Sequence, residues 1–138
     1  MSNHIFVYGT LKRGEHNNSL LQGCDFVSTA VVPGAALLNL GGCPGLVICR
    51  TESRDCAKGE IYLAHDLDYI LKRLDRLENE GSFYKRVILT AYETDWNNDV
   101  VRMAHPINCY TYLYMPAFAG SSFVEGGDWR LRSHAWGP

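Results

Sequence analysis

Apolar residues recur along the chain with two different periods. Residues 3–8, 25–32, 35–40, 46–51, 58–64, 84–94 and 107–115 are short runs of aliphatic, β-branched and aromatic side chains, several of them bounded by Gly, Pro or Asn/Asp clusters. That is the pattern of strands. The last run alternates: Ile107, Cys109, Thr111, Leu113 and Met115 fall on one side, and Asn108, Tyr110, Tyr112 and Tyr114 on the other. The cluster Asp95-Trp96-Asn97-Asn98-Asp99 predicts a reversal, with residues 100–104 returning as a further strand.

The second period is helical. Between residues 66 and 78, Leu67, Ile70, Leu71, Leu74 and Leu77 trace a single apolar stripe. His65 or Asp66 is placed to cap its start, and Gly81 follows its end. A shorter helix is expected from about Asn17 or Asn18, carrying Leu20 and Leu21. Many short strands with one long helix predict an α+β fold. Strands this short and numerous close into a barrel or pack as a strongly bent sheet; the form expected here is the mixed β-barrel of about six strands, flanked by one long helix and one or more short ones. The helix must lay its stripe on the barrel. No repeat, low-complexity block or linker interrupts the chain, so residues 1–138 are expected to form one domain, with a looser tail after about residue 116. In that tail, Trp129 and Trp136 are candidates to fold over a pocket or to form a partner surface.

Composition narrows the class. With 46% hydrophobic and 20% charged residues the chain can build an ordinary core. A net charge of −2 argues against nucleic acid or an anionic membrane as partner. No apolar run approaches the ~20 residues of a membrane span. The opening Met-Ser-Asn-His lacks the features of a secretory signal, so a cytoplasmic location is expected. The five cysteines are odd in number and have no Cys-x-x-Cys pair, which reads as scattered reduced thiols. His4, His16, His65, His105 and His134 form no ligand set, and no metal is expected.

Candidate chemistry lies in two places. Tyr8-Gly9-Thr10-Leu11-Lys12-Arg13-Gly14 is a strand running directly into a glycine-flanked loop, where successive N–H groups can receive a carboxylate or phosphate. It is not a phosphate-binding loop of the Walker type, because Glu15-His16 stands where Lys-Ser/Thr is needed. The dinucleotide fingerprint is absent, and Gly120-Ser121-Ser122-Phe123-Val124 lacks the last glycine of a serine-hydrolase elbow. The second place is Glu78. It lies four residues after Leu74 and seven after Leu71, so a carboxylate ends the buried stripe. Enclosed, it would hold its proton to higher pH, as a proton shuttle requires. Glu80, Glu15 and Glu60 are competitors. Tyr84 and Arg86 share a strand face, and Tyr84 is placed to offer a hydroxyl to the pocket, as are Tyr62, Tyr110, Tyr112 and Tyr114.

Taken together these residues resemble the γ-glutamylcyclotransferase-like family, in its branch of small bacterial and animal proteins. The resemblance rests on Val7-Tyr8-Gly9-Thr10-Leu11-Lys12-Arg13-Gly14, on Leu74-Asp75-x-Leu77-Glu78 followed by Tyr84 and Arg86, and on Gly59-Glu60-Ile61-Tyr62 with the late tyrosine-rich strand. It spans about residues 5–115. The resemblance implies a barrel with a ligand cavity, a γ-glutamyl group held by the backbone amides of Gly9, Thr10 and Leu11, and Glu78 as general acid and base. It implies substrate contacts at Tyr8, Tyr84 and Tyr114, release of 5-oxoproline, and no cofactor. Asn79, where the branch usually has glycine, and Glu80-Gly81 depart from the pattern and could reshape the pocket floor. The alternative function is a non-catalytic module that binds a γ-glutamyl compound or another small carboxylate.

Overall fold

A computed structural model describes residues 3–40, 43–48, 56–78, 83–94, 104–116, 122–124 and 127–129. Eight strands are present among them: β1 (His4–Val7), β2 (Cys24–Pro33), β3 (Ala35–Asn39), β4 (Pro44–Ile48), β5 (Cys56–Ala64), β6 (Tyr84–Glu93), β7 (Ala104–Tyr114) and β8 (Ser122–Phe123). One α-helix, α1 (Leu67–Leu77), follows β5, and a short 3₁₀ helix occupies Asn18–Leu21. The expected second helix is therefore a single 3₁₀ stretch. The expected strand at residues 100–104 and the turn before it lie largely outside the described residues.

Five strands close the barrel. Their order is β1-β5-β2-β6-β7, and β7 pairs back onto β1 in parallel through His4↔Cys109 and Ile5↔Tyr110. The other four pairings of the ring are antiparallel. The remaining strands extend the sheet from β7 in the order β4-β3-β8. The barrel is thus five-stranded rather than about six-stranded, because β4 joins β7 without entering the ring. Register irregularities at Phe26/Ser28 in β2 and Tyr92/Glu93 in β6 supply the local bending that closure of so small a barrel needs.

Alternation along each strand separates two cores. Phe6, Tyr8, Ile61, Ala91 and Cys109 belong to one cluster, with Leu37, Leu46 and Trp129. Ile5, Val7, Tyr62, Tyr84 and Tyr112 belong to the other, against which α1 lays Ile70, Leu71 and Leu74. Both faces of β1, and of β7 around Thr111 and Tyr112, are therefore covered, one by the barrel interior and one by the helix. Trp129 is fully buried in the interior cluster. It neither folds over a pocket nor offers a partner surface, because an indole of this size gains far more from filling a barrel than from lying on its outside. Trp136 lies outside the described residues. The four described cysteines, Cys24, Cys43, Cys56 and Cys109, form no disulfide. No helix among the described residues is long and apolar enough to cross a membrane.

Candidate active site

The helix is built to deliver its last residue. Asp66 caps the start, its side chain accepting the N–H of Tyr69 at 3.3 Å. Ile70, Leu71 and Leu74 are buried, whereas Leu77 turns to solvent. Glu78 is the C-terminal cap, and its N–H donates to the Leu74 carbonyl at 2.9 Å. Four residues on from Leu74, the Glu78 side chain follows the buried stripe. The last full turn is clamped to the barrel by Asp75, which accepts from Arg86 Nη1 at 2.7 Å and from the Tyr112 hydroxyl at 2.5 Å. Arg86, which follows Tyr84 on the same strand face, is half-buried and paired to the helix.

The facing wall is created by a parting of strands. β1 and β4 share one edge of β7: β1 takes Cys109 and Tyr110, and β4 takes Leu113. Where β1 ends, its chain leaves β7 and enters the loop. The Tyr8 hydroxyl bridges the fork, donating to the Tyr112 carbonyl at 2.8 Å and accepting the Leu46 N–H at 3.4 Å. Burial, followed by the nearby Glu78 and Tyr84, pushes the Tyr8 phenol well above its ordinary pKa, so it stays a neutral donor. Across the fork the Tyr84 hydroxyl donates to the Pro44 carbonyl at 2.9 Å and lies 3.8 Å from Cys43 Sγ.

A cleft of about 410 Å³, counting its open mouth, fills this fork. Tyr8, Gly9, Thr10 and Leu11 line it, with Glu78, Tyr84 and Tyr112 opposite and Cys43 and Pro44 at the side. Gly9 has no alternative there: a Cβ would stand 2.5 Å from Pro44 Cγ. Among the described residues no acceptor takes the N–H of Gly9, Thr10 or Leu11, while Lys12 N–H closes the turn onto the Gly9 carbonyl at 3.1 Å. Among the described residues the lining holds one carboxylate, Glu78, and no lysine, arginine or histidine. Burial raises the Glu78 carboxyl from 4.5 to about 7. An anionic ligand would therefore depend on main-chain donors for neutralisation, and a cationic amine would find Glu78.

Of the residues singled out in the sequence, Tyr8, Gly9, Thr10, Leu11, Glu78 and Tyr84 meet in this cleft. Tyr114 does not line it. Its ring packs edge-on against Tyr84 at 5.7 Å, because strand alternation places it one pair further along. Tyr112, one of several equivalent tyrosines by sequence, is the one that lines the cleft. Nothing in the alternating pattern distinguishes it from Tyr110 or Tyr114; the register with β6 and the position of Asp75 do. Of the competing carboxylates, Glu15 is outside the lining, and Glu80 lies outside the described residues together with Asn79 and Gly81. Glu60 is only 1% exposed, but its oxygens are engaged: Arg13 N–H at 2.8 Å, Arg13 Nε at 3.2 Å and the Tyr62 hydroxyl at 3.2 Å. It holds the far end of the loop rather than facing the cleft.

A small closed barrel thus carries a cleft between a glycine turn and a shielded carboxylate at the end of a helix. Comparison with known proteins specifies the class. The profile described as Gamma-glutamyl cyclotransferase, AIG2-like matches residues 5–131, and the chain belongs to that family. A relative from Vibrio cholerae is 33% identical over 134 residues, spanning 96% of this chain and 99% of its own. The γ-glutamylaminecyclotransferase of Mus musculus is 29% identical over 140 residues, spanning 91% of this chain and 89% of its own. The crystal structure of an AIG2-like protein from Mus musculus superposes with a TM-score of 0.70 at 27% identity, covering 91% of this chain and 88% of the other.

Proposed function

We propose that this chain is a γ-glutamylcyclotransferase acting on a γ-glutamyl amide, with Glu78 as the proton-transfer group. The observation that supports this most is the pairing, in one cleft, of a carboxyl raised to about 7 with the turn of Gly9, Thr10 and Leu11. In this reading the glutamyl α-carboxylate or the carbonyl oxygen lies on the loop amides, and the α-ammonium approaches Glu78. The Glu78 carboxylate removes a proton from the ammonium. The freed amine attacks the γ-carbonyl carbon, a new C–N bond closes the five-membered ring, and the carbonyl oxygen becomes negative. The protonated Glu78 then gives its proton to the departing nitrogen as the original amide C–N bond breaks. The oxygen re-forms its double bond, the ring nitrogen passes the second proton of the attacking amine to the released amine, which leaves as an ammonium beside 5-oxoproline, and Glu78 is again a carboxylate.

A group with a pKa near the working pH serves both steps, since it is neither too weak a base nor too weak an acid. Folding the substrate so that amine and carbonyl meet contributes through proximity, and fixed N–H donors favour the developing oxyanion. The test is 5-oxoproline release from a panel of γ-glutamyl amines, γ-glutamyl peptides and glutathione. Product from at least one member, lowered by roughly 10² or more in Glu78→Gln, is expected. Binding without product from any member would replace the enzyme with a binding module.

A further inference from the structure

The loop that lines the cleft is followed at once by a lysine with an unusual position. Lys12 is 1% exposed on its side chain, and its Nζ lies 3.1 Å from Asp128 Oδ1, itself 15% exposed. A buried ammonium is costly unless an acid meets it, so the two positions depend on each other. Asp128 is held in place from both sides. Trp129 is fully buried in the barrel interior. Gly127 has a φ of +69°, and a Cβ there would collide with the Cys56 carbonyl oxygen, so this position admits only glycine. Gly127 N–H also donates to the Val124 carbonyl at 3.1 Å, continuing from the Val124 N–H bond to the Leu37 carbonyl at 2.7 Å. The three residues are thus anchored on the barrel, far in sequence from the loop. Lys12 in turn determines the loop, because its own N–H closes the turn onto Gly9 and its carbonyl accepts the Glu15 N–H at 3.0 Å.

We propose that Asp128 is a positioning residue: through Lys12, the C-terminal segment at residues 127–129 latches the cleft loop in the shape that aims the Gly9, Thr10 and Leu11 amides. What those amides then bind rests on the function proposed above; the latch itself does not. Arg13 supports the same loop from the other side through Glu60, but that acid belongs to β5 and is part of the barrel wall. The Lys12 pair is an ionic contact by which residues 127–129 reach the loop of the site.

Amide hydrogen exchange on the whole chain, without ligand, reads the latch directly. In Asp128→Asn, exchange of the hydrogen-bonded loop amides of Lys12, Arg13 and Glu15 should accelerate at least tenfold while amides of β2 and β6 exchange at wild-type rates. Asp128→Glu, which keeps the charge, should recover most of the protection. Asp128→Asn takes a negative charge away from a buried cation and could fail to fold, so Lys12→Met/Asp128→Leu is the companion variant. It leaves no charge at either position, should fold, and should also speed exchange of the Lys12, Arg13 and Glu15 amides at least tenfold. Wild-type loop exchange in either variant overturns the proposal. So does uniform acceleration across the barrel, or failure of the companion variant to fold, since each assigns the pair to overall stability. With a turned-over γ-glutamyl amide, Asp128→Asn should raise KM at least tenfold with the pH midpoint unmoved; an unchanged KM counts against the latch. If the wild-type chain turns over no such compound, the proposed function fails while the exchange result still decides the latch.

Discussion

Glu78→Gln should make the protein more stable at high pH while removing its proposed activity. Folding raises the Glu78 carboxyl from 4.5 to about 7 because burial disfavours the charged form. The folded state therefore binds this proton more tightly than the unfolded chain does. The resulting penalty on the folded state is negligible below the unfolded value, grows as pH rises from 4.5 towards 7, and is complete above 7. At 1.36 kcal/mol per pKa unit the full penalty is about 3 kcal/mol, and water at the open mouth of the cleft screens part of it. Glutamine has nearly the same shape and carries no charge at any pH. Urea unfolding should thus show Glu78→Gln more stable than wild type by about 1–3 kcal/mol near pH 8, with a difference under about 1 kcal/mol near pH 5. The same variant should lose turnover by roughly 10² or more, and the wild-type rate should rise with pH to a plateau with its midpoint at about 7. A Gln variant equally stable at both pH values, or less stable near pH 8, would show that the carboxylate is not held in a desolvated position, and the assignment of Glu78 would go with it.

Gly9→Ala places a methyl 2.5 Å from the Pro44 ring, which cannot swing aside. It should cost about 1–3 kcal/mol in denaturant unfolding and weaken binding of γ-glutamyl compounds in calorimetry, since the turn itself must shift. Asp75→Asn removes the charge that receives Arg86 and Tyr112 one turn before Glu78. A loss of about 1–2 kcal/mol in urea unfolding and a several-fold fall in kcat with little change in KM are expected, because the base moves while the substrate loop does not. Trp129→Ala empties the interior of the barrel and should cost about 3–5 kcal/mol, read from urea unfolding; a loss below about 1 kcal/mol would place the indole elsewhere.

Several features follow from the sequence alone. The stripe from Leu67 to Leu74, the Asp66 cap and the glutamate four residues beyond Leu74 are short-range patterns, so helical geometry translates them directly into α1 with Glu78 at its end. The alternation of β7 and the runs that became β1, β2, β5 and β6 are equally local, although their ends shift by one to three residues. The glycine turn after Tyr8 is legible for the same reason: it depends on what one residue's backbone can adopt. Tertiary structure decided which strand edges meet. The fork between β1 and β4 on β7 makes the cleft, commits the Tyr8 hydroxyl to main chain, selects Tyr112 over Tyr114 and turns Arg86 into a clamp on the helix. It also brings Glu60 and Asp128 to opposite sides of one loop and draws Trp129 into the barrel. These outcomes join residues up to 116 positions apart. Such pairings depend on the closure of a whole barrel rather than on the period of any single segment, and no local pattern of polar and apolar residues encodes them.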